Sequence, residues 1–400
     1  MKRDYGGVGT AAQRANTLLS ELSIDIECQR EQNDSKDYYL KYTRNGAANL
    51  PKLTRRIVEQ SINDLEANGY EFSKKTVGNV QQYELNIQNV IDIYHHRKFP
   101  KYRELHEGPF VIYISNLKGG ASKTVSTVTL AHGLRVHEDL LRYDLRILVI
   151  DFDPQASSTM FLNHRHSIGT VLSTASQAML NDIDAEQLKE DFILPTLIPG
   201  VDVMPASIDD GFVASQWKEL VEESLPGMSQ YSVLQKTIID RIGKDYDFIF
   251  IDTGPHLDAF MLNALAASDM LLTPVPPAQV DFHSTLKYLT RLPEMFQKLE
   301  QDGIEPKVRA NIGYMAKILN KKDHLSSHSY ARQVFTHSML DASLPRLDGF
   351  ERTGESFDTI ISANPQTYAG SAEAFKKARR EADHFIKAVF DRIEYIRSTD

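Results

Sequence analysis

A short segment of the chain carries the residue types that bind phosphate. Two adjacent glycines, Gly119 and Gly120, are preceded by Lys118 and followed by Lys123 and Thr124. Glycines allow unusual backbone dihedral angles, so several N–H groups can converge on an anion, and the positive end of a following helix adds to the attraction. Lys123 would reach the β and γ oxygens of a nucleotide, and the Thr124 hydroxyl would bind Mg²⁺. The segment therefore indicates a nucleoside triphosphate site.

One position of this segment departs from the ordinary phosphate-loop pattern, G-x-x-x-x-G-K-[ST]. That pattern places glycine directly before the lysine, whereas Ser122 stands there in this chain. A literal search for the ordinary pattern therefore fails, and the prediction depends on the surrounding elements.

The elements that must position this segment alternate between apolar strands and helices. Continuous runs of Val, Ile and Leu are typical of strands buried on both faces, as in a parallel sheet covered by helices on both sides. The sequence therefore predicts an α/β fold with a doubly wound, mostly parallel sheet. The predicted strands are Phe110–Ser115, Arg146–Asp151, Val201–Met204, Asp247–Asp252, Met270–Val275 and Arg309–Met315.

A long helix is predicted from Ser371 to Arg397 at the end of the chain. Its apolar positions, among them Phe385 and Phe390, form one stripe, and basic residues cluster near its start. Such a stripe can dock on the core of its own domain or serve as an amphipathic membrane anchor. A core-facing helix is the more common case.

Three motifs, in order along the chain, resemble those of the ParA/MinD superfamily. Residues 118–124 match its deviant Walker A box, K-G-G-x-x-K-[ST], residues 151–155 (D-F-D-P-Q) are similar to its D-x-D-P-Q segment, and residues 247–252 are similar to its Walker B strand. Each motif alone would be weak evidence, since a single aspartate is most often a helix cap or a solvated carboxylate. Together they imply an ATPase that uses ATP, ADP and Mg²⁺.

The resemblance also implies a role for each site residue. Lys118 would cross a homodimer to the partner's nucleotide, Asp153 would orient the attacking water, and Asp151 and Asp252 would join Thr124 in serving the Mg²⁺ shell. Hydrolysis would then require a dimer. The residues expected to hold the nucleotide are Lys118, Gly119, Gly120, Ala121, Ser122, Lys123 and Thr124. Ala121, Ser122 and Val125 stand where the family often has small Gly or Thr residues.

Residues 34–100 read as a small DNA-binding domain. One helix is predicted from Ser35 to about Asn45, and a second one, capped by Thr54, runs to Asn68, after which Gly69 stops it. Two extended runs then flank a turn at Gly78-Asn79. This order is typical of a winged helix-turn-helix, which places its second helix in a major groove and its wing on phosphates. The DNA-contacting candidates are Thr54, Arg55, Arg56, Lys74 and Lys75. A small helical adaptor is the alternative.

Residues 1–33 form a separate N-terminal segment with a predicted helix over 10–32. Its apolar residues recur at three- and four-residue spacing, including Leu18, Leu22 and Ile26. A lone amphipathic helix must bury such a stripe, either in a second copy of the chain or on its own domain. Residues 101–400 would be the ATPase domain.

Composition and charge limit the remaining possibilities. The formal net charge is −9, but residues 1–100 hold 14 basic and 13 acidic side chains, so the first hundred residues are not acidic. The one cysteine, Cys28, cannot supply the paired ligands of an iron–sulfur cluster or a structural zinc site. No apolar run reaches the ~18 residues that span a bilayer, so a cytoplasmic protein is expected.

The resemblance is closest to the large plasmid ParA subtype and extends over nearly the whole chain. It implies a plasmid partition ATPase whose ATP-bound dimer binds nonspecific nucleoid DNA and is stimulated by a ParB-type centromere-binding protein. The ADP-bound form would repress its own operon by binding operator DNA. Basic residues of a late stretch would contact the nonspecific DNA, here Arg352 and Arg346, unless they form surface ion pairs with Glu351 or Glu355. A MinD-like membrane-positioning ATPase and a nucleotide-responsive repressor are the alternatives.

Overall fold

The computed structural model describes residues 6–32, 38–163 and 173–399. The chain starts with helix α1 (Val8–Gln32), which confirms the predicted N-terminal helix. Leu18 and Leu22 of its apolar stripe are 54% and 48% exposed, so these side chains are not buried on their own domain. The side chain of Ile26 lies outside the described residues. Of the two predicted ways to bury this stripe, packing against a second copy of the chain therefore stays a prediction.

Helices α2 (Arg44–Ala48), α3 (Arg55–Ala67) and α4 (Ile87–His96) form a small unit with a two-stranded hairpin. Helix α3 matches the prediction, because the Thr54 hydroxyl accepts a hydrogen bond from the Ile57 N–H and caps the helix. The hairpin strands are β1 (Lys74–Val77) and β2 (Val80–Tyr83), joined by the predicted two-residue turn.

The helix predicted from Ser35 to Asn45 is wrong over residues 38–43, and only its last two residues are helical. Ser35 lies outside the described residues, and residues 38–43 are not helical. Tyr42 forms an antiparallel bridge with Leu85, with N···O distances of 2.7 and 2.8 Å. The chain is thereby held extended, and helix α2 starts only after Thr43, whose side chain accepts from the Gly46 N–H.

The rest of the chain is built on one eight-stranded sheet with the order β10-β9-β8-β3-β7-β4-β6-β5. Neighbouring strands are parallel except for β5, which pairs antiparallel with β6. All six predicted strands are present, within one residue at their starts; the edge strands β5 and β10 were not predicted because two residues carry no pattern. The strands are β3 (Phe110–Ile114), β4 (Ile147–Phe152), β5 (Leu194–Pro195), β6 (Val201–Met204), β7 (Phe248–Thr253), β8 (Met270–Val275), β9 (Ala310–Ile318) and β10 (Leu344–Pro345).

Helices cover both faces of this sheet, as the continuous apolar strands predict. On β3, Ile112 packs with the cluster that contains helices α6 and α17, and Val111 packs with the opposite cluster, which contains α13 and α14. The helices are α5 (Tyr102–Leu105), α6 (Lys123–Val136), α7 (Ser157–Leu162), α8 (Ala175–Met179), α9 (Ala185–Phe192), α10 (Asp210–Ser215), α11 (Trp217–Ser224), α12 (Asp240–Ile242), α13 (Ala259–Ala267), α14 (Gln279–Gln301), α15 (Lys322–Phe335), α16 (Asp348–Glu355) and α17 (Ala372–Ser398).

The apolar stripe of the C-terminal helix α17 faces the core. Phe385 is fully buried and Phe390 is 4% exposed, so the core-facing interpretation of this helix is confirmed. The described part of the chain contains no helix that is long and apolar enough to cross a membrane.

The same core continues into the small N-terminal unit. Val58 of α3 and Val90 of α4 belong to the cluster that contains Phe248 and Phe390 of the large domain. Polar contacts reinforce this junction. Arg135, at the end of α6, lies 2.8 Å from the Asp144 carboxylate and 3.3 Å from Gln88 Oε1 of α4.

His132 on helix α6 makes the stability of the protein depend on pH. Its Nδ1 lies 3.0 Å from Thr359 Oγ1, and burial lowers the pKa of His132 to about 3. As the pH falls below ~6.5, the unfolded chain therefore takes up a proton before the native one does, and the native state loses stability between these two values. The free energy of unfolding of the natural protein should fall between pH 7.5 and pH 5. We expect this fall to be smaller by about 2 kcal/mol in His132→Asn.

Urea unfolding followed by circular dichroism at both pH values measures this difference. The matched control is His384→Asn, because His384 is exposed on α17 and its replacement should leave the pH dependence unchanged. An identical pH dependence in His132→Asn and the natural protein would contradict the assignment.

Candidate nucleotide-binding site and DNA-contacting surfaces

The phosphate-binding segment lies between the end of β3 and the start of α6. Asn116, which is buried, anchors the base of this loop. Its side-chain oxygen accepts from the Lys118 N–H at 2.9 Å, and its side-chain nitrogen donates to the Pro274 carbonyl and the Thr285 hydroxyl, each at 2.9 Å. The loop is therefore tied to β8 and α14. Nothing in the sequence pattern singles out Asn116.

The unusual backbone dihedral angles of the loop are found at Gly120, with φ 70°, and at Ser122, with φ 73°. The interpretation that both glycines supply them is wrong for Gly119, whose φ is not positive. A left-handed φ is disfavoured for a residue with a Cβ atom, because the side chain approaches its own backbone. Ser122 stands where the ordinary pattern has glycine, and it adopts the left-handed conformation that glycine accepts readily.

Lys123 and Thr124 start helix α6 and face the end of β7. Lys123 is buried, and this burial lowers its pKa, while the carboxylates of Asp252 and Asp153 oppose the shift. The Thr124 hydroxyl donates to Asp252 Oδ2 at 2.7 Å, and the Ser158 hydroxyl donates to the same oxygen at 2.7 Å. Three elements therefore meet at one carboxylate. Sequence reasoning did not find Ser158.

The Asp252 carboxylate has the features of a Mg²⁺ ligand. It is fully buried, burial raises its pKa, and its second oxygen, Oδ1, has no hydrogen-bond partner among the described residues. Mg²⁺ is bound by oxygen ligands, typically one or two protein oxygens together with phosphates and waters. The Thr124 hydroxyl and the Asp252 carboxylate, beside a loop suited to phosphate, fit such an ion.

Asp151 lies beside Asp252 in the register of β4 and β7. Its Oδ2 accepts from the backbone N–H and the hydroxyl of Thr159, at 2.9 and 2.8 Å, and its Oδ1 accepts from the Asp153 N–H at 3.0 Å. These contacts fix the turn that leads from β4 into α7. Asp153 is half-buried on that turn, and its own carboxylate accepts from the Gln155 N–H at 3.0 Å.

Lys118 lies at the outer side of the loop. Its ammonium is 3.2 Å from Asp281 Oδ1, near the start of α14, and both side chains are about one-third exposed. In this conformation the lysine is paired within its own chain. A role on a partner's nucleotide would require this partly exposed ion pair to open, and ion pairs near the surface contribute little free energy.

The DNA-contacting candidates of the winged unit lie on α3 and on the hairpin. Arg55 pairs with Glu59 one turn later at 2.9 Å, and the Lys74 ammonium lies 2.9 Å from Glu66. Arg56 and Lys75 are exposed, as is Thr54 at the head of α3. The Lys74 contact thus ties the hairpin to helix α3.

The late basic stretch lies on β10 and α16. Arg346 pairs with Glu351 at 2.7 Å, with side-chain exposures of 60% and 53%, which is the ion pair named as the alternative to a DNA contact. Arg352 is exposed on α16. Arg352 is therefore the better candidate of the two for an anionic partner.

Comparisons with known proteins agree with this architecture. A family model described as "ParA helix turn helix domain" matches residues 15–106, and a model described as "AAA domain" matches residues 110–307. The plasmid partition protein A of Escherichia coli is 56% identical over 395 residues, which cover 99% of each chain. A solved structure of a partition protein is 59% identical, with a TM-score of 0.79 and 99% of both chains covered.

A more distant structure shares the fold alone. It is a cobyrinic acid a,c-diamide synthase from Mycobacterium smegmatis with bound ADP and magnesium, and it is 17% identical with a TM-score of 0.51. The likeness covers 72% of this chain and 96% of the synthase.

Replacing Asp252 by asparagine tests the metal assignment. The amide oxygen can still accept from Thr124 and Ser158, but the side chain carries no charge. In the natural protein Mg²⁺ should lower the Kd for ADP, and we expect the factor by which it does so to be at least about tenfold smaller in the variant. Isothermal titration calorimetry of ADP with Mg²⁺, and again with EDTA, measures this increment. Binding in EDTA is the internal control and should change little; a full Mg²⁺ increment in Asp252→Asn would contradict the assignment.

Proposed function

Because the chain belongs to the ParA family of plasmid partition proteins, we propose that it segregates a low-copy plasmid through a Mg²⁺-dependent cycle of ATP binding and hydrolysis. Its large domain is that of a P-loop ATPase family and its N-terminal unit that of a ParA helix-turn-helix family. The observation that carries the proposal is the hydrogen bond from Thr124, directly after the phosphate-binding loop, to the buried Asp252 carboxylate.

The residues of the site divide the work of hydrolysis. Backbone N–H groups of the loop and the Lys123 ammonium hold the triphosphate, and Mg²⁺, when bound, supplies charge neutralisation at the phosphate oxygens. Asp153 orients the attacking water from the turn after β4. Lys118 adds positive charge where the γ-phosphoryl group becomes most negative. Charge supplied in this way by an arginine finger is worth ~10³–10⁵ in rate.

The proposed active form is a homodimer. Lys118 acts on the nucleotide of the partner subunit, which requires it to leave Asp281. The exposed apolar residues Leu18 and Leu22 support a second contact through helix α1, since apolar stripes of this kind are normally covered. Turnover is therefore slow unless two subunits meet.

The proposed cycle alternates between two DNA-bound states. With ATP, the dimer binds nonspecific DNA of the nucleoid through Arg352 and responds to a ParB-type centromere-binding protein that stimulates hydrolysis. With ADP, the winged unit binds the partition operator through Thr54, Arg55, Arg56 and the wing lysines Lys74 and Lys75, and represses its own operon. This cycle places the protein in the cytoplasm, associated with the nucleoid.

The two alternative functions have less support. A membrane-positioning ATPase would need an amphipathic anchor, whereas the apolar stripe of α17 is buried, as at Phe385. A repressor that only senses nucleotide would not need hydrolysis. Replacing Asp153 by alanine distinguishes that case, because plasmid segregation should be lost while nucleotide-dependent operator binding remains.

Mixing two inactive variants tests the action of Lys118 in trans. Lys118→Ala and Asp153→Ala should each bind ATP without hydrolysing it. In their mixed dimer, the Lys118→Ala subunit keeps its own Asp153 and receives Lys118 from its partner, so one of its two sites is complete. With random pairing, ATPase activity should return to about a quarter of the natural level.

The mixture is assayed for phosphate release in steady state, beside each variant alone as a control. If Lys118 acted within its own subunit, no site in the mixture would be complete. An inactive mixture of subunits that still exchange would therefore reject action in trans.

Single arginine substitutions separate the two DNA surfaces. Arg352→Ala should weaken ATP-dependent binding to random DNA and reduce its salt slope by about 1, while ADP-dependent operator binding stays intact. Arg56→Ala should do the reverse. The matched control is Arg346→Ala, because its ion pair with Glu351 predicts a smaller effect on random DNA.

Electrophoretic mobility shifts measure both activities, on the promoter of the protein's own partition operon and on random DNA, each over a range of salt concentrations. A single surface serving both states would make each arginine variant lose both activities together, which would contradict the assignment.

A further inference from the structure

Lys317, near the end of β9, contacts the phosphate-binding loop from a distant part of the chain. Its ammonium donates a hydrogen bond to the Gly120 carbonyl at 2.8 Å, and the backbone of Lys317 has φ 56°. The left-handed region is disfavoured for a lysine, and such outliers persist where surrounding structure holds them in place. The contact with the loop is therefore not a consequence of regular strand geometry.

A β-bulge directs this side chain toward the loop. Leu344 pairs with Ala316, and the next residue of β10, Pro345, pairs with Ile318, so Lys317 is an extra residue in β9. In an uninterrupted strand, Lys317 would share a face with Met315, and Ile318 would share the opposite face with Tyr314.

The observed packing reverses this expectation. Ile318 packs with the cluster that contains Met315 and Phe335, whereas Tyr314 belongs to the other face. The inserted residue has therefore changed the alternation of the strand, which releases Lys317 from the Met315 face. Bulges commonly re-aim a side chain next to a functional site.

The hydrogen bond acts on a peptide group that belongs to the phosphate cradle. The Gly120 carbonyl and the Ala121 N–H are part of one trans peptide unit, so they point in opposite directions. An ammonium that holds the carbonyl on one side therefore fixes the N–H toward the other side. Ala121 is buried, whereas Gly120 is exposed, so the lysine holds the loop from its solvent side.

We propose that Lys317 is a positioning residue of the nucleotide site, which orients the Gly120–Ala121 peptide so that its N–H faces the bound phosphates. This inference rests on the proposed ATP binding. It assigns Lys317 to the loop backbone rather than to the γ-phosphoryl group, so its loss affects ADP and ATP alike.

Truncating the side chain while keeping the backbone conformation tests this role. Lys317→Asn is suited, because asparagine adopts the left-handed region more readily than most residues and its side chain is too short to reach Gly120. We expect the Kd for Mg-ADP and for a slowly hydrolysed Mg-ATP analogue to rise by about tenfold each, the effect of one charge-assisted hydrogen bond. Lys317→Arg, which keeps a donor, should restore most of the affinity.

Titration calorimetry on the full chain measures both nucleotides, and thermal unfolding without nucleotide shows that each variant is folded. The matched control is Lys321→Asn, an exposed lysine four residues later, which should bind both nucleotides as the natural protein does. Lys317→Met, which removes the ammonium group but keeps most of the side-chain length, provides a second variant should the asparagine variant fail to fold.

Two results would overturn the inference. Unchanged affinity for both nucleotides would leave the contact without a role in binding, and weaker binding of the ATP analogue alone would indicate a direct contact with the γ-phosphate. A natural protein that binds neither nucleotide would instead refute the proposed function itself, so the two failures are distinguishable.

Discussion

The buried carboxylate of Asp252 is the constraint on which the site depends. A carboxylate in the interior must be compensated by hydrogen bonds or positive charge, because burial otherwise favours its neutral, protonated form. Here the hydroxyls of Thr124 and Ser158 donate to one of its oxygens. The positive charge of Lys123 also opposes the rise in the Asp252 pKa that burial causes. Since Thr124 starts α6 and Ser158 lies in α7, this single group fixes two helices against the end of β7. The second oxygen, which has no hydrogen-bond partner among the residues that the structure describes, is left available to a cation.

The sequence predicts the parts of this arrangement that are governed by local pattern. Buried parallel strands, the cap at Thr54 and the two-residue hairpin turn each depend on residues close together in the chain. The structure differs where distant residues decide the backbone. Tyr42 is extended because it pairs with Leu85, and this pairing excludes the helix that was expected around Tyr42. Asn116 and Ser158 were missed because the groups to which their side chains donate lie 94 or more residues away.

The basic side chains predicted to contact DNA differ in whether they already pair with a carboxylate of the protein. Arg55, Lys74 and Arg346 each pair with a carboxylate of their own surface, at 2.9, 2.9 and 2.7 Å. Exposed pairs of this kind contribute little to stability, but they reduce the field that a phosphate backbone meets. Arg56 and Arg352 are exposed on α3 and α16, two elements that sequence places far apart. Both guanidinium groups therefore remain exposed to solvent in a protein with a formal net charge of −9.

The continuity of the core across residue 100 has a consequence for truncated versions of the chain. Val58 and Val90 are fully buried in the cluster that also holds Phe248 and Phe390, and Gln88 is one of the partners of the buried Arg135. A fragment that begins after residue 100 would uncover this apolar face and deprive the guanidinium of one acceptor. Such a fragment would be prone to self-association in solution, and properties measured on it would not describe the intact molecule.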